Sequence, residues 1–299
     1  MKNKMKFILI YLCLFNLGNL IELPEEYDVR ERYKEYNCKS FYDIRDQKDC
    51  GGCWAFSTAE VISDKHCIHT KGKYQFLFSE MELLTCCKTL NDNPKAGCGG
   101  GDEYYGFHYW VTRGLPLKNC KAFLFDDGEE VLDNSEKLKC RNTCDDNSFM
   151  IRDRGYLHSF ITGGEEEIKK EIYNNGPVTA GFDFYNSFFY YWNEILPKNP
   201  NAIYENFDLT KEGGHSVKII GWGIDKESNT KYWLCVNSWG KNDYHTGFFR
   251  FIRGINNCGI ESDINAGYIL DRIKATNTEA FIVYRDHFFY FKNLNKDYR

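Results

Sequence analysis

The sequence predicts an α+β protein whose helices come first and whose strands come second. Two observations carry this. Apolar residues recur at helical spacing in the first half, as in Ala55, Phe56, Ala59 and Ile62. In the second half they gather into short runs rich in Val, Ile, Phe, Tyr and Trp, bounded by glycine, asparagine or charged residues. A third observation places the chain. It carries 13 cysteines, and so many in a mid-sized protein point to an oxidising compartment and a disulfide framework.

The N-terminus agrees with that compartment. Lys2, Lys4 and Lys6 precede an apolar stretch from Phe7 to Leu17, and Gly18 and Asn19 follow. This is the pattern of a secretory signal peptide over residues 1–20. The run is too short to cross a membrane, which takes about 20 apolar residues, so the chain is expected to lack a membrane anchor once the signal is removed. Residues 24–50 are polar and read as mostly irregular. A helix is predicted from Cys53 to about His66, with Lys65 and His66 in the last turn, where the helix dipole favours cations. Ser79 caps a short second helix to Leu84, with Glu82 three residues on. A third helix covers Glu103 to Thr112. Residues 118–148 form a charged loop containing Cys120, Cys140 and Cys144. A further helix, Glu165 to Tyr173, has its acids first, and Asn175-Gly176-Pro177 stops it. Strands are predicted over Val178–Tyr185, Ser216–Trp222, Lys231–Asn237 and Gly247–Ile252. Residues 193–201 read as a surface loop and 272–299 as a tail of unknown role.

Composition excludes several classes. Hydrophobic residues make up 42% and charged residues 27%, which is globular rather than disordered usage. The net charge of −5, with no basic run, argues against a nucleic-acid partner. Aromatic residues reach 17% and predict an aromatic-rich core.

The chemistry centres on Cys50-Gly51-Gly52-Cys53-Trp54. Three readings are open: a redox pair, half of a zinc site, or a structural cysteine beside a nucleophile. Trp54 follows the second cysteine, whereas redox motifs carry their Trp before the first. No second Cys-x-x-Cys or His-x-x-x-His completes a zinc site, so no metal or cofactor is expected. A thiol opening a helix feels the positive end of the dipole, which favours thiolate. It needs a base. Of the seven histidines, His215 in Gly213-Gly214-His215-Ser216 is the best placed, where glycines allow close backbone approach and a strand begins. The base in turn needs an orienting group on its other ring nitrogen, and Asn237 at the end of an apolar strand suits that role.

These residues resemble the papain-type cysteine proteases, and among them the cathepsin B-like enzymes. The resemblance rests on Gln47…Cys53-Trp54, Gly213-Gly214-His215 and Asn237-Ser238-Trp239-Gly240. Asp64 to Thr70, Leu83 to Cys87, Gly221-Trp222-Gly223 and Phe248 to Ala266 extend it, so that it covers about Leu23 to Gly267. It implies a peptidase domain over residues 23–271. A helical lobe (45–148) and a β-barrel-like lobe (149–271 plus the N-terminal segment) would enclose an active cleft. Cys53 would be a thiolate paired with the His215 imidazolium, oriented by Asn237. Gln47 would help form the oxyanion hole. Gly100, Gly101, Gly214 and Trp239 would border bound substrate, and Asp263 would supply an acid at the floor of a side-chain pocket. The implied disulfides are Cys38–Cys67, Cys50–Cys98, Cys86–Cys140 and Cys120–Cys144. Cys53 would be free, Cys235 and Cys258 buried thiols, and Cys87 without its usual partner. The implied partners are protein or peptide substrates and cystatin-like inhibitors of a monomer, secreted or endolysosomal.

Four departures matter. Gly52 stands where the family carries Ser or Ala. The segment Lys121–Lys139 corresponds to a loop that in cathepsin B clamps a substrate carboxylate with adjacent histidines. Here it contains no histidine and reads Asp126-Asp127-Gly128-Glu129-Glu130, which predicts an endopeptidase. Asp102-Glu103 replaces Tyr-Pro and would open or acidify one pocket wall. The signal runs almost directly into Leu23-Pro24, which leaves no room for a full pro-segment. Two other functional classes stay open: a catalytically silent homologue that binds peptides or proteins, and a thiol–disulfide oxidoreductase at Cys50–Cys53.

Overall fold

The computed structural model describes residues 22–87, 97–126 and 136–269. The expected signal peptide, the 272–299 tail and most of the acidic run at 126–130 lie outside them. A short strand β1 (Tyr27–Asp28) leads into the one-turn helix α1 (Val29–Arg32), capped by Asp28. Then come α2 (Cys53–His69), α3 (Glu80–Cys86) and α4 (Glu103–Thr112). The second half holds β2 (Leu157–Phe160), α5 (Glu165–Asn175), β3 (Val178–Tyr185), α6 (Asn186–Tyr190) and β4 (Ile203–Tyr204). It ends with β5 (Lys211–Ile224), β6 (Lys231–Val236), β7 (Phe248–Ile252) and β8 (Asp263–Tyr268).

The strands form one sheet in the order β2-β8-β3-β5-β6-β7-β4, and β1 adds to β5 through Tyr27 opposite Trp222. Every pairing is antiparallel except the short β4–β7. The N-terminal segment, expected to be irregular, is therefore bound into the sheet. Tyr27 stacks on Trp222 at 4.8 Å, and the Trp222 indole donates to the Pro24 carbonyl at 3.0 Å.

Two hydrophobic cores lie on either side of α2. The helical core contains Trp54, Phe56, Phe78, Leu84, Phe107 and Trp110. The sheet core contains Phe182, Phe188, Tyr191, Trp222, Trp233 and Phe251. Burial on both sides explains why α2 has no clean polar face. Residues 54–67 are all buried, including Glu60, Asp64 and Lys65. Buried charges must be paired. Lys218 on β5 donates to Asp64 at 2.8 Å with Glu60 at 3.8 Å, and Lys65 bonds Glu171 of α5 at 3.0 Å. Lys65 therefore ties α2 to α5, and the expected dipole role passes to His66 and His69, because the helix runs on to His69.

Other boundaries follow local rules. The Ser79 hydroxyl accepts the Glu82 amide at 3.1 Å, and Asp102 caps α4 through the Tyr104 amide at 2.8 Å. Gly176, at φ 86°, ends α5. The expected surface loop at 193–201 is partly helical, since a π-helical turn continues α6 over Tyr191–Ile195. Trp192 and Leu196 bury there against the sheet core, which anchors a segment whose composition looks polar. Four disulfides join Cys38–Cys67, Cys50–Cys98, Cys86–Cys140 and Cys120–Cys144. No helix among the described residues is long and apolar enough to cross a membrane.

Candidate active site

Cys53 is the first residue of α2, with Gly52 at its cap. Cys50 is held in its disulfide to Cys98 and Cys53 is free, so the two do not form a redox pair. Burial, and after it the Glu103 carboxylate, push the thiol up to about 12, against the smaller opposing effect of the backbone N–H groups of Ser216, Trp54 and Cys53.

His215 lies on β5, opposite Phe182 of β3, and is 6% exposed. Its Nε2 bonds Asn237 Oδ1 at 2.9 Å. That oxygen also accepts the Ser238 backbone N–H at 2.9 Å. An amide N–H can only donate, so the Asn237 oxygen is fixed on this side and Nε2 must carry the proton. Nδ1 is left as the second ring nitrogen. Asn237, just beyond β6, is fully buried. Phe182, Phe184, Phe188 and Trp239 surround the imidazole, with Trp239 nearest at 5.0 Å between centroids. Exclusion of water by these rings drives His215 down to about 4, against the smaller opposing effect of Asn237.

Burial thus drives Cys53 and His215 each toward neutrality, whereas the resemblance implies a charged pair. The physical reason is that a lone buried charge is costly, while a proton passing from thiol to imidazole creates two opposite charges together.

Gln47 is the residue whose orientation the sequence could not supply. Its Oε1 accepts the Ser238 hydroxyl at 2.6 Å, and its Nε2 donates to the Cys50 carbonyl at 2.8 Å. One Nε2–H is used, and the other belongs to a side chain bordering the cleft. Ser238 was not singled out in the sequence. Its role could have been read only as the residue beside Asn237.

A cleft of about 660 Å³ brings Gln47, Cys53, Gly100, Gly101, Gly214, His215 and Asp263 together. Gly101 is required there, since a Cβ would meet the Trp54 ring at 2.3 Å. Gly181 has the same reason, because a Cβ would meet the Asp263 carboxylate at 2.4 Å. Trp239 does not border this cavity. It packs over His215 and stacks on Phe189 at 5.4 Å. Cys258, expected to be a buried thiol, borders the cleft and is only partly buried. It sits in a tight turn at φ 54° after Asn256 at φ 50°, which holds its side chain at the surface of the lobe. Cys235 is fully buried, and the Cys87 thiol lies 3.4 Å from the Tyr105 carbonyl oxygen. No group of three metal-ligating side chains occurs among the described residues.

A thiol opening a buried helix, facing a histidine–asparagine pair on a sheet, defines the class of two-lobed thiol proteases. Comparison with known proteins agrees. Residues 23–268 match the family described as papain family cysteine protease. A cathepsin B-like cysteine proteinase of Caenorhabditis elegans is 35% identical over 268 residues, covering 82% of this chain and 74% of that protein. The gut-specific cysteine proteinase of the same worm is 36% identical over 259 residues, covering 83% and 74%. The structure of procathepsin B S9 from Trypanosoma congolense superposes with a TM-score of 0.68 at 32% identity, covering 83% of this chain and 77% of that one. The chain belongs to the papain family of cysteine proteases and is cathepsin B-like.

Proposed function

We propose that this protease cleaves internal peptide bonds, with Cys53 as nucleophile, His215 as proton carrier, Asn237 as its orienting partner and Gln47 in the oxyanion hole. The observation that carries this is the His215–Asn237 bond at 2.9 Å. It assigns the proton to Nε2 and leaves Nδ1 for exchange with a thiol on the same cleft. In the first half-reaction the Cys53 sulfur attacks the scissile carbonyl carbon. The carbonyl oxygen takes negative charge beside the Cys53 backbone N–H and the second Gln47 N–H. His215 protonates the leaving amine as the C–N bond breaks. In the second, His215 takes a proton from water, hydroxide displaces the sulfur, and the acid product leaves.

The endopeptidase reading is supported by the sequence of Lys121–Lys139, which carries Asp126-Asp127-Gly128-Glu129-Glu130 and no histidine where the resemblance implies a loop that clamps a substrate carboxylate. Acids would repel such a carboxylate. The four disulfides and the N-terminal apolar segment support a secreted or endolysosomal site, and the family resemblance supports proteins or peptides as substrates, cystatin-like inhibitors as partners and a monomer as the working unit.

A second reading, a silent homologue that binds peptides, draws on the burial that disfavours charge on both Cys53 and His215. One experiment separates the two. The protein and its Cys53→Ala variant are incubated with a mixed peptide library at mildly acid pH, and products are read by mass spectrometry. Internal cleavage by the wild type alone supports the endopeptidase. Release of C-terminal dipeptides as the main product overturns the endopeptidase assignment. Silence of well-folded wild type favours the binding homologue.

A further inference from the structure

Two histidines outside the cleft meet where a helix of the first half rests on the sheet. His108 stands on α4 and His158 on β2, both half-buried. His108 Nδ1 lies 3.3 Å from His158 Nε2, with the ring planes at 81° and the centroids 5.4 Å apart. The fold builds this meeting. His158 pairs with Gly267 of β8, so the two residues share a face of the sheet. A Cβ on Gly267 would meet the Trp110 and Phe107 rings of α4 at 2.6 and 2.7 Å. That face is therefore the one α4 rests on, and glycine lets the helix come close enough for His108 to reach His158. Tyr104, one turn before His108 on the same helix face, packs across the His158 ring at 4.8 Å and lies parallel to the His108 ring at 6.5 Å. It restricts the rotation of both.

A hydrogen bond between two imidazoles needs one nitrogen as donor and the other as acceptor. Both nitrogens therefore aim into the same gap, and one proton fills it. A tetrahedral zinc ion bound by two imidazoles at about 2.0–2.1 Å holds their nitrogens about 3.3 Å apart. The gap thus already has the ligand spacing of such an ion. Exchange of proton for metal releases no net proton. The donating ring moves its proton to its other nitrogen, and two bare nitrogens then face the ion. Half-buried rings leave the remaining coordination positions to water. Imidazole ligands select zinc, nickel or copper over magnesium or calcium.

We propose that His108 and His158 form a two-histidine site for a divalent transition metal of the zinc type, and that the bound ion clamps α4 to β2. The helix α4 begins at Glu103, and β8, the partner of β2, begins at Asp263; both residues border the cleft. The clamp therefore joins the elements that carry two sides of the cleft. None of the four disulfides links α4 to β2. The site uses neither Cys53 nor His215, so it stands or falls independently of the protease chemistry above.

The test uses the full chain carrying Cys53→Ala, which removes the cleft thiol as a competing ligand. Chelator-washed protein is titrated with zinc chloride at neutral pH in a calorimeter, and one zinc per chain is expected. Adding His108→Gln or His158→Gln is expected to weaken that binding about tenfold or more, and both together to weaken it no further than either alone. Adding Cys258→Ser is expected to leave it unchanged. No zinc binding by the parent, binding that survives either histidine variant, or binding lost with Cys258 overturns the site. Thermal unfolding without metal shows whether each variant is folded. A second measurement needs no histidine variant: cobalt(II) bound in place of zinc is expected to absorb as a nitrogen- and oxygen-ligated ion. A thiolate-to-cobalt band overturns the histidine assignment. The clamp is read separately by hydrogen exchange. Zinc is expected to slow exchange in α4 and β2 of the parent and not of the histidine variants. Zinc binding that leaves exchange in both elements unchanged overturns the clamp.

Discussion

Three of the four disulfides among the described residues, Cys50–Cys98, Cys86–Cys140 and Cys120–Cys144, lie on the side that carries Cys53, and the fourth, Cys38–Cys67, ties the N-terminal segment to the end of α2 within the sheet core. The side that carries His215 and Asn237 has two unbonded cysteines, Cys235 and Cys258. The helical side is built from short helices joined by long irregular segments, so few backbone hydrogen bonds reach between distant residues. Cross-links supply the missing long-range restraint by limiting the unfolded chain. The described strands themselves carry none, because β3, β5, β6 and β7 are laddered edge to edge. Its aromatic residues also interlock, with Phe188 against Phe182, Tyr204, Trp239 and Phe249. Two walls held by different forces must still keep Cys53 and His215 in register. The buried ion pairs of α2 with Lys218 and Glu171 span the gap.

The strongest way to break the comparison removes one catalytic partner from each wall. Cys53→Ala and His215→Ala are each expected to cut kcat/KM by about 10⁴-fold or more, and the double variant by little further, because the two act as a unit. Peptide hydrolysis at equal concentrations of folded protein checks this. Additive losses would mean that the walls work independently.

Next in size is the covalent restraint. Replacing Cys50 and Cys98 by Ser opens a loop whose ends are 48 residues apart. The chain-entropy estimate for such a loop is about 4 kcal/mol. Hydrogen exchange is expected to rise in α2–α4 and to stay low in β3–β6. Uniform loss of protection would show that the two sides unfold as one.

Glu103 offers a pH-resolved test. Its folded value of about 7 lies above its ordinary 4.5, so the folded state holds a proton that the unfolded state has released. Its contribution is therefore most favourable below about 4.5 and is lost as pH rises through 7. Glu103→Gln is expected to change stability little at pH 4 and to raise it at pH 8, by on the order of 3 kcal/mol at most. Denaturant titrations at both pH values decide it. Equal effects at the two pH values would exclude titration of Glu103 as the cause.

The smallest effect concerns Ser238, which joins the walls by holding Gln47. Ser238→Ala frees the amide to rotate and is expected to lower kcat about tenfold with little change in KM, about one hydrogen bond's worth. A change in KM alone would place Gln47 outside the transition-state contacts.

The sequence by itself determined the order of elements and much of their extent. Glu103–Thr112 and Val178–Tyr185 appear at the predicted boundaries because caps, glycines and β-branched runs act over a few residues. The same locality made Cys53, His215 and Asn237 legible, since each sits in a short motif at a helix start or strand end. What tertiary structure decided was everything set by burial from several elements at once. α2 runs a turn beyond its expected end because it is enclosed on all sides and has no polar stripe to mark its stop. β2 and β8 go unannounced because their pairing partner is a distant strand, with Leu157 opposite Tyr268. The Gln47 orientation depends on Ser238, brought from the other wall. Glu103 reads as an ordinary first-turn acid in sequence. It becomes a buried group on the cleft of Cys53 only once α2 and β8 pack against α4, because electrostatic environment is a property of the assembled surroundings and not of the residue.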